Sequence, residues 1–223
     1  MSTPFVVAVD GPSGSGKSST ARGAASRLGL AYLDTGAMYR AVTWALLQRG
    51  TDLDDPAAIA RDAQDVSIVS GTDPIAPTIE ADGTDVALAI RGDDVTAHVS
   101  PVSAVPEVRA MLVALQQRVI ADAGEGIVVE GRDIGSTVAP EAPVKVYLVA
   151  DPAARAARRA AERGGADAAA TAQSLAARDR IDSTRATSPL VQADGAVEID
   201  GTHLTLDEVV DEVVALAERA RAS

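Results

Sequence analysis

The stretch Phe5–Thr20, FVVAVDGPSGSGKSST, decides the fold. An apolar run, FVVAV, reads as a buried strand and leads directly into Gly11-x-x-x-x-Gly16-Lys17-Ser18. In such a loop the glycines let successive backbone N–H groups turn inward and make a nest for an anion. A helix beginning beyond Gly16 adds the positive end of its dipole. Lys17 is placed to reach β- and γ-phosphates, and the Ser18 hydroxyl to meet Mg²⁺. Gly11, Pro12, Ser13, Gly14, Ser15, Gly16, Lys17, Ser18 and Ser19 are therefore the expected triphosphate-binding set. A chance Gly/Ser-rich loop would not need a strand before it and a helix after it, and both are legible here. The expectation is a protein that binds a nucleoside triphosphate.

Composition narrows the partners. The chain has 223 residues, enough for one α/β domain with a substantial core and a small insertion. A net charge of −12 argues against coating nucleic acid or an anionic membrane. Any substrate phosphates must then meet arginines clustered against an acidic background. There is no cysteine, which excludes disulfides and thiolate metal sites. Neither a signal peptide nor an apolar run of membrane-spanning length is legible, so a cytoplasmic protein is expected. His98 and His203 are isolated in sequence and suggest no metal site.

Strands and helices alternate along the chain. Ser18 to Leu28 is helical in composition and stops at Gly29; Ala31 to Leu33 reads as a second strand. Met38 to Gln48 is expected to be an amphipathic helix, and Pro56 to Asp65 a short one. Between about 66 and 95 the texture changes. VSIVSG, TIEAD and DVALAIRG read as short β runs, and Ala81-Asp82-Gly83-Thr84 is a hairpin signal. Helical pattern resumes from Val105 to Ala123. Strands follow at Ile127–Glu130, Val144–Val149 and Ala196–Asp200, with a last helix over Leu206–Arg221. The fold class is thus α/β. A P-loop NTPase-type five-stranded parallel sheet is flanked by helices, with a small antiparallel β insertion (about 66–95) and a short lid (about 155–180). Ligands of such sheets sit beyond the carboxyl ends of the strands, so Asp10 through Ser18, Asp34, Arg132 and Asp133 should converge.

The lid expectation rests on arginines. Arg155, Arg158 and Arg159 fall at i, i+3 and i+4, and Arg178, Asp182 and Arg185 at i, i+4 and i+7, with Gly164-Gly165 as a hinge between the two groups. Ordinary solvated faces with Asp/Arg pairs are the plain alternative. Positioning and cation clamps carry phosphoryl transfer, so surplus arginine beside a P-loop points to a transferase. The chain contains no asparagine, which excludes the Asn-Lys-x-Asp guanine element of regulatory GTPases.

Five motifs stand in one order: GPSGSGKSS, Asp34-Thr35-Gly36-Ala37-Met38-Tyr39-Arg40, Val99–Arg109 (VSPVSAVPEVR), Gly131-Arg132-Asp133-Ile134-Gly135, and Arg178–Arg185 (RDRIDSTR). In that order and over essentially the whole chain, including the β insertion, the sequence resembles the bacterial cytidylate kinases. The resemblance implies transfer of phosphate from ATP, with Mg²⁺, to CMP or dCMP. It implies that Arg40, Arg132 and Arg185 hold the acceptor phosphate and that Asp182 accepts from ribose hydroxyls. It places Ser100, Arg109 and Asp133 at the cytosine, with Thr35 and Tyr39 beside it, and a monomer is the form it favours. Lys17, Arg132, Arg158 and Arg185 are the implied catalytic charges, with Arg155 and Arg159 at ATP.

A carboxylate and a guanidinium complement the N4 amino group and the O2 and N3 acceptors of cytosine, whereas uracil sets a carbonyl against the carboxylate. Several residues keep a second reading. Asp133 can cap the following turn, Arg109 can pair with Glu107 or Asp93, Ser100 can belong to a turn before Pro101, and Tyr39 can be core. Asp34 either orients water on Mg²⁺ or ties down the Thr35-Gly36 turn. Two functional alternatives remain at this stage: another P-loop small-molecule kinase of shikimate or gluconate type, and a regulatory module that binds ATP without turning it over.

Overall fold

A computed structural model describes residues 4–162 and 167–222. Its central sheet has five parallel strands in the order β2-β6-β1-β7-β8: β1 (Phe5–Asp10), β2 (Ala31–Asp34), β6 (Gly126–Gly131), β7 (Val144–Val149) and β8 (Val197–Asp200). Strand β1 is at the centre, so its apolar side chains are buried on both faces. Val6 and Ala8 join Leu33, Ile127 and Val129 against α2 (Thr35–Arg49), α4 (Asp93–Ala104) and α5 (Pro106–Ala121). Val7 and Val9 join Val128, Val146 and Leu148 against α1 (Lys17–Leu28) and α8 (Leu206–Arg221). The last helix opens with a capping box in which Thr205 and Glu208 satisfy each other's backbone N–H groups.

The insertion is a separate three-stranded antiparallel sheet, β3 (Ile68–Ser70), β4 (Ile79–Ala81) and β5 (Thr84–Asp85), with α3 (Pro56–Ala63) ahead of it. Asp82 and Gly83 make the β4–β5 turn with φ of 50° and 75°, as the Asp-Gly signal predicts. Two expectations need correction. The run DVALAIRG is strand only at its first residue; it continues as a turn and a single 3₁₀ turn, Ala89–Arg91, before α4 begins at Asp93. The β-branched residues Val95, Thr96, Val99 and Val102, together with Pro101, hid that helix, and packing between α2 and α5 outweighs their weak helix preference. Helix α2 is not amphipathic either. It is buried nearly all round, because the insertion and α4 cover the side that a surface helix would show to water.

Helices α6 (Pro152–Glu162) and α7 (Ala168–Thr184) pack together beside the loop after β1. The expected Gly164-Gly165 hinge lies outside the described residues.

The loop itself requires glycine where the backbone closes on β7. Gly11 has φ of 148°, and a Cβ there would collide with the Leu148 carbonyl oxygen. Gly11→Ala is expected to cost about 3 kcal/mol or more in urea unfolding, since neither backbone can give way. Gly29→Ala has φ of 66° but open space around it, and is expected to cost only about 1 kcal/mol. Equal losses at the two positions would show that the clash at Gly11 is relieved by movement.

Candidate active site

Three parallel strands deliver acidic residues to one edge: Asp10 ends β1, Asp34 ends β2 and Glu130 stands near the end of β6. Each has a definite task. Asp10 is buried and accepts from the N–H groups of Ile134 and Gly135, both at 2.8 Å. Burial pushes its pKa up to about 6, against the pull of those two N–H groups. It thereby fixes the turn carrying Arg132 and Asp133. Asp34 caps α2 through Oδ1, accepting from Ala37 N at 2.8 Å and tying down the Thr35-Gly36 turn, and it also lines the cleft, so both of its readings stay open. Glu130 accepts from the Tyr32 hydroxyl at 2.6 Å, and burial with the nearby Asp34 charge raises its pKa to about 7. Thr35 donates to the Glu130 carbonyl at 2.7 Å and locks α2 to β6.

Lys17 is folded into the loop, where Nζ donates to the Pro12 carbonyl at 2.7 Å and reaches Ser15 Oγ at 3.4 Å. Burial, reinforced by Arg132, brings its pKa down to about 7. The loop thus keeps its cation folded against its own backbone.

The Ser13 and Ser15 carbonyls and the Ser13 N–H of the loop face α6 and α7. Arg155 donates to the Ser13 carbonyl at 3.0 Å and pairs with Asp179, which accepts from Ser13 N at 3.0 Å. Arg158 donates to the Ser15 carbonyl at 3.3 Å and to the Gly201 carbonyl. The expected common face of Arg155, Arg158 and Arg159 is therefore divided. Arg155 and Arg158 brace the loop from behind, and Arg159 lines the cleft in front. Arg158 also borders a separate hollow with Ser19, Thr20, Leu204, Leu206 and Val209.

The cleft runs from the loop toward α4 and α5. At its far end Arg109, only 2% exposed, is paired with Asp133, whose other oxygen lies 3.5 Å from Arg185 Nη2. The Arg109 guanidinium sits over the Tyr39 ring at 5.4 Å, and the buried Ser100 lies on the same wall. Tyr39 belongs to the hydrophobic core as its alternative reading has it, while it also borders the cleft; the alternatives for the other three fall away. Arg109 is not on the surface, the Asp133 side chain caps nothing, and Ser100 is inside α4. In the middle, Arg132 Nε donates to Asp182 at 3.1 Å and Arg185 Nε to the Ser188 carbonyl at 2.6 Å. Arg40 donates to the Ile90 carbonyl at 2.9 Å and to Thr96 at 3.0 Å.

Charge is the decisive property. Eight cationic side chains line the cleft against four carboxylates, in a chain whose net charge is −12. Arg40 has its pKa lowered to about 9 by burial and by Arg178, Arg159 and Arg91; Arg178 is lowered to about 10 by burial and Arg132. Both remain charged at neutral pH. A half-buried concentration of unneutralised guanidinium is a site for a polyanion. The sequence singles out Arg178 as a lid arginine but does not mark Arg91, Asp179 or Glu130 as site residues. Arg178 and Asp179 lay within the RDRIDSTR motif and Glu130 beside Gly131-Arg132-Asp133, whereas Arg91 was hidden in a run read as strand.

Comparison with known proteins agrees with this geometry. The family model described as cytidylate kinase matches residues 7–219. The chain belongs to the cytidylate kinase family. The cytidylate kinase of Streptomyces avermitilis is 56% identical over 98% of this chain and 94% of its own length. That of Nocardia farcinica is 55% identical over 95% and 92%. A solved structure of an uncharacterized protein from Eubacterium ventriosum, 12% identical, covers 96% of this chain and 98% of its own with a TM-score of 0.54, a likeness of fold alone. Membership of a kinase family implies the use of a nucleotide phosphoryl donor. Among the described residues no helix of this cytidylate kinase family member is long and apolar enough to cross a membrane.

Proposed function

We propose that this protein transfers the γ-phosphoryl group of ATP to CMP and dCMP, giving ADP and CDP or dCDP. The observation that carries the reading is the cleft's pairing of a phosphate cradle with a buried Arg109–Asp133 unit across a field of arginines. In this reading Asp133 and Arg109 face the cytosine edge, Ser100 and Tyr39 wall it, and Thr35 shapes the floor. Asp182 meets the ribose. Arg40, Arg132 and Arg185 grip the acceptor phosphate, where guanidinium forks match phosphate oxygens. Lys17 and the loop N–H groups take the donor phosphates. Arg159 and Arg178 approach the transferring group from α6 and α7, which act as the lid. The hollow beside Arg158 and Leu204–Leu206 receives the donor base. Every group this reading uses comes from one chain, so a monomer suffices.

Ser18 suits Mg²⁺, because its exposed hydroxyl lies on the cleft and within hydrogen-bonding reach of Glu130. No cluster of three or more His, Cys, Asp or Glu forms a cage among the described residues. That fits a metal held chiefly by phosphate, as Mg²⁺ commonly is. Ser18 would hold it, with Asp34 and Glu130 reaching its waters. When bound it supplies positive charge to the phosphate oxygens. An oxygen of the acceptor phosphate forms the new bond to the γ-phosphorus. The bond from that phosphorus to the β–γ bridging oxygen breaks, and its electron pair leaves on ADP. The chain's residues align and neutralise, and no proton needs to move.

The test is ADP formation from ATP·Mg²⁺ with CMP, dCMP, UMP, AMP, shikimate or gluconate as acceptor. Rapid turnover is expected with CMP and dCMP, and a kcat/KM lower by roughly 10²-fold or more with UMP, because a site built on a substrate's hydrogen bonds rejects the mismatched analogue. Arg185→Ala should lower kcat/KM for CMP by roughly 10²–10³-fold while ATP still binds. ATP binding with no acceptor-dependent ADP would replace the kinase reading by a regulatory one.

A further inference from the structure

The insertion contributes one cation that neither motif nor spacing indicated. Arg91 closes the 3₁₀ turn after β5, at the point where the chain re-enters the main domain. Its side chain is 50% exposed, yet it lines the acceptor cleft and also the mouth of the P-loop, beside Gly14, Lys17 and Ser18. At that mouth the residues outside the loop are Arg91, from the insertion, and Arg159, from α6. The junction of the two spaces is where a group passing between donor and acceptor must sit.

Four of the other arginines of the cleft are committed differently. Arg109 and Arg185 engage Asp133, Arg132 engages Asp182, and Arg40 is fastened to the Ile90 carbonyl and Thr96. The contact holding Arg91 is an ion pair with Asp34 at 3.2 Å, through the carboxylate oxygen not used to cap α2. Half-exposed pairs of this kind contribute little, whereas a phosphate offers charge-assisted bonds to the same guanidinium. Arg91 is therefore an exchangeable donor. Its position is also tied to the acceptor site, because Arg40 donates to the carbonyl of the preceding residue, Ile90.

We propose that Arg91 binds the phosphoryl group in transit, leaving Asp34 as ligand arrives, and that the Arg40–Ile90 bond links this to acceptor binding. The inference rests on the kinase reading above. Arg91 stays protonated and donates to non-bridging oxygens while the P–O bonds exchange, so it adds no proton transfer to the step. The insertion then has a chemical role as well as that of covering α2.

The test uses Arg91→Ala and Arg91→Lys in the full chain, with adenosine and cytidine joined by five phosphates as a ligand spanning both sites. By calorimetry, Arg91→Ala should bind the bridged ligand roughly 10²-fold more weakly, with ATP alone and CMP alone within about threefold of wild type. Arg91→Lys should recover roughly tenfold of that loss, since it keeps the charge and loses the fork. kcat should fall with the bridged-ligand affinity while KM for CMP changes little. Equal weakening of CMP alone, or unchanged affinity for the bridged ligand, would overturn the proposal. If wild type binds ATP but neither the bridged ligand nor CMP, the kinase reading itself fails. If the alanine variant unfolds at lower temperature, Arg91→Gln, which keeps the stem, takes its place and the same comparison decides.

Discussion

Replacing Lys17 by methionine is expected to abolish useful turnover and, at the same time, to stabilise the unliganded protein. The ammonium is buried among groups that include Arg132, and its pKa falls from 10.5 to about 7. The folded state therefore resists the charge that the unfolded chain carries freely. Methionine fills a similar volume without that penalty, and a gain of about 1–2 kcal/mol in urea unfolding at pH 7 is expected, at the low end for replacing buried charge by packed apolar side chains. The sign of the pH dependence follows. Below pH 7 lysine is charged in both states and the penalty is full. Between pH 7 and 10.5 the folded protein binds fewer protons than the unfolded one, so wild-type stability rises with pH and the advantage of methionine shrinks. Turnover should fall by roughly 10²–10³-fold or more, because the cation that the proposed function assigns to the donor phosphates is lost. A variant no more stable than wild type at pH 6 would show that the bonds to Pro12 and Ser15 outweigh the desolvation of the ammonium.

Asp133→Ala is expected to damage stability and recognition together. Asp133 is the ion-pair partner of Arg109, and Arg185 also reaches it. Removing the carboxylate leaves a guanidinium 2% exposed with no counter-charge, which typically costs about 3–5 kcal/mol. For a chain of this size that is a drop in melting temperature of roughly 6–20 °C, at about 2–4 °C per kcal/mol. The thermal shift given by CMP should disappear in the same variant, while that given by ATP should persist. Asp133→Ala combined with Arg109→Met should recover most of the lost stability and none of the CMP response. If the double variant is as unstable as the single one, the damage lies in the turn and not in the stranded charge. If the single variant loses less than about 1 kcal/mol, water reaches Arg109 and the pair is less enclosed than its burial implies.

The two variants bear on one design. The cleft concentrates positive charge that the folded chain alone does not neutralise, and the polyanionic substrates complete the balance. The penalty appears as lowered pKa values at Lys17, Arg40 and Arg178. Stability is held below what the scaffold allows so that phosphate binding is strong.

The sequence by itself determined most of the elements and the glycine loop. Alternation of apolar strands with helices, the Asp-Gly turn and the glycine loop act within a few residues, where backbone sterics and period decide the outcome. Strand β7 and helix α8 match their sequence bounds for that reason. The convergence of Asp10, Asp34, Arg132 and Asp133 followed from topology, since parallel strands must end at one edge. Tertiary structure alone decided the rest. It made α4 a helix despite Pro101, because burial between neighbours outweighs local propensity. It buried α2 nearly all round. It separated three arginines that helical spacing had grouped, giving Arg155 and Arg158 to the loop's carbonyls and Arg159 to the cleft. It brought Arg91 from the insertion to the mouth of the loop across more than seventy residues of chain. Partner choice among arginines depends on which oxygen lies within about 3 Å, and packing sets that distance where spacing along the chain does not.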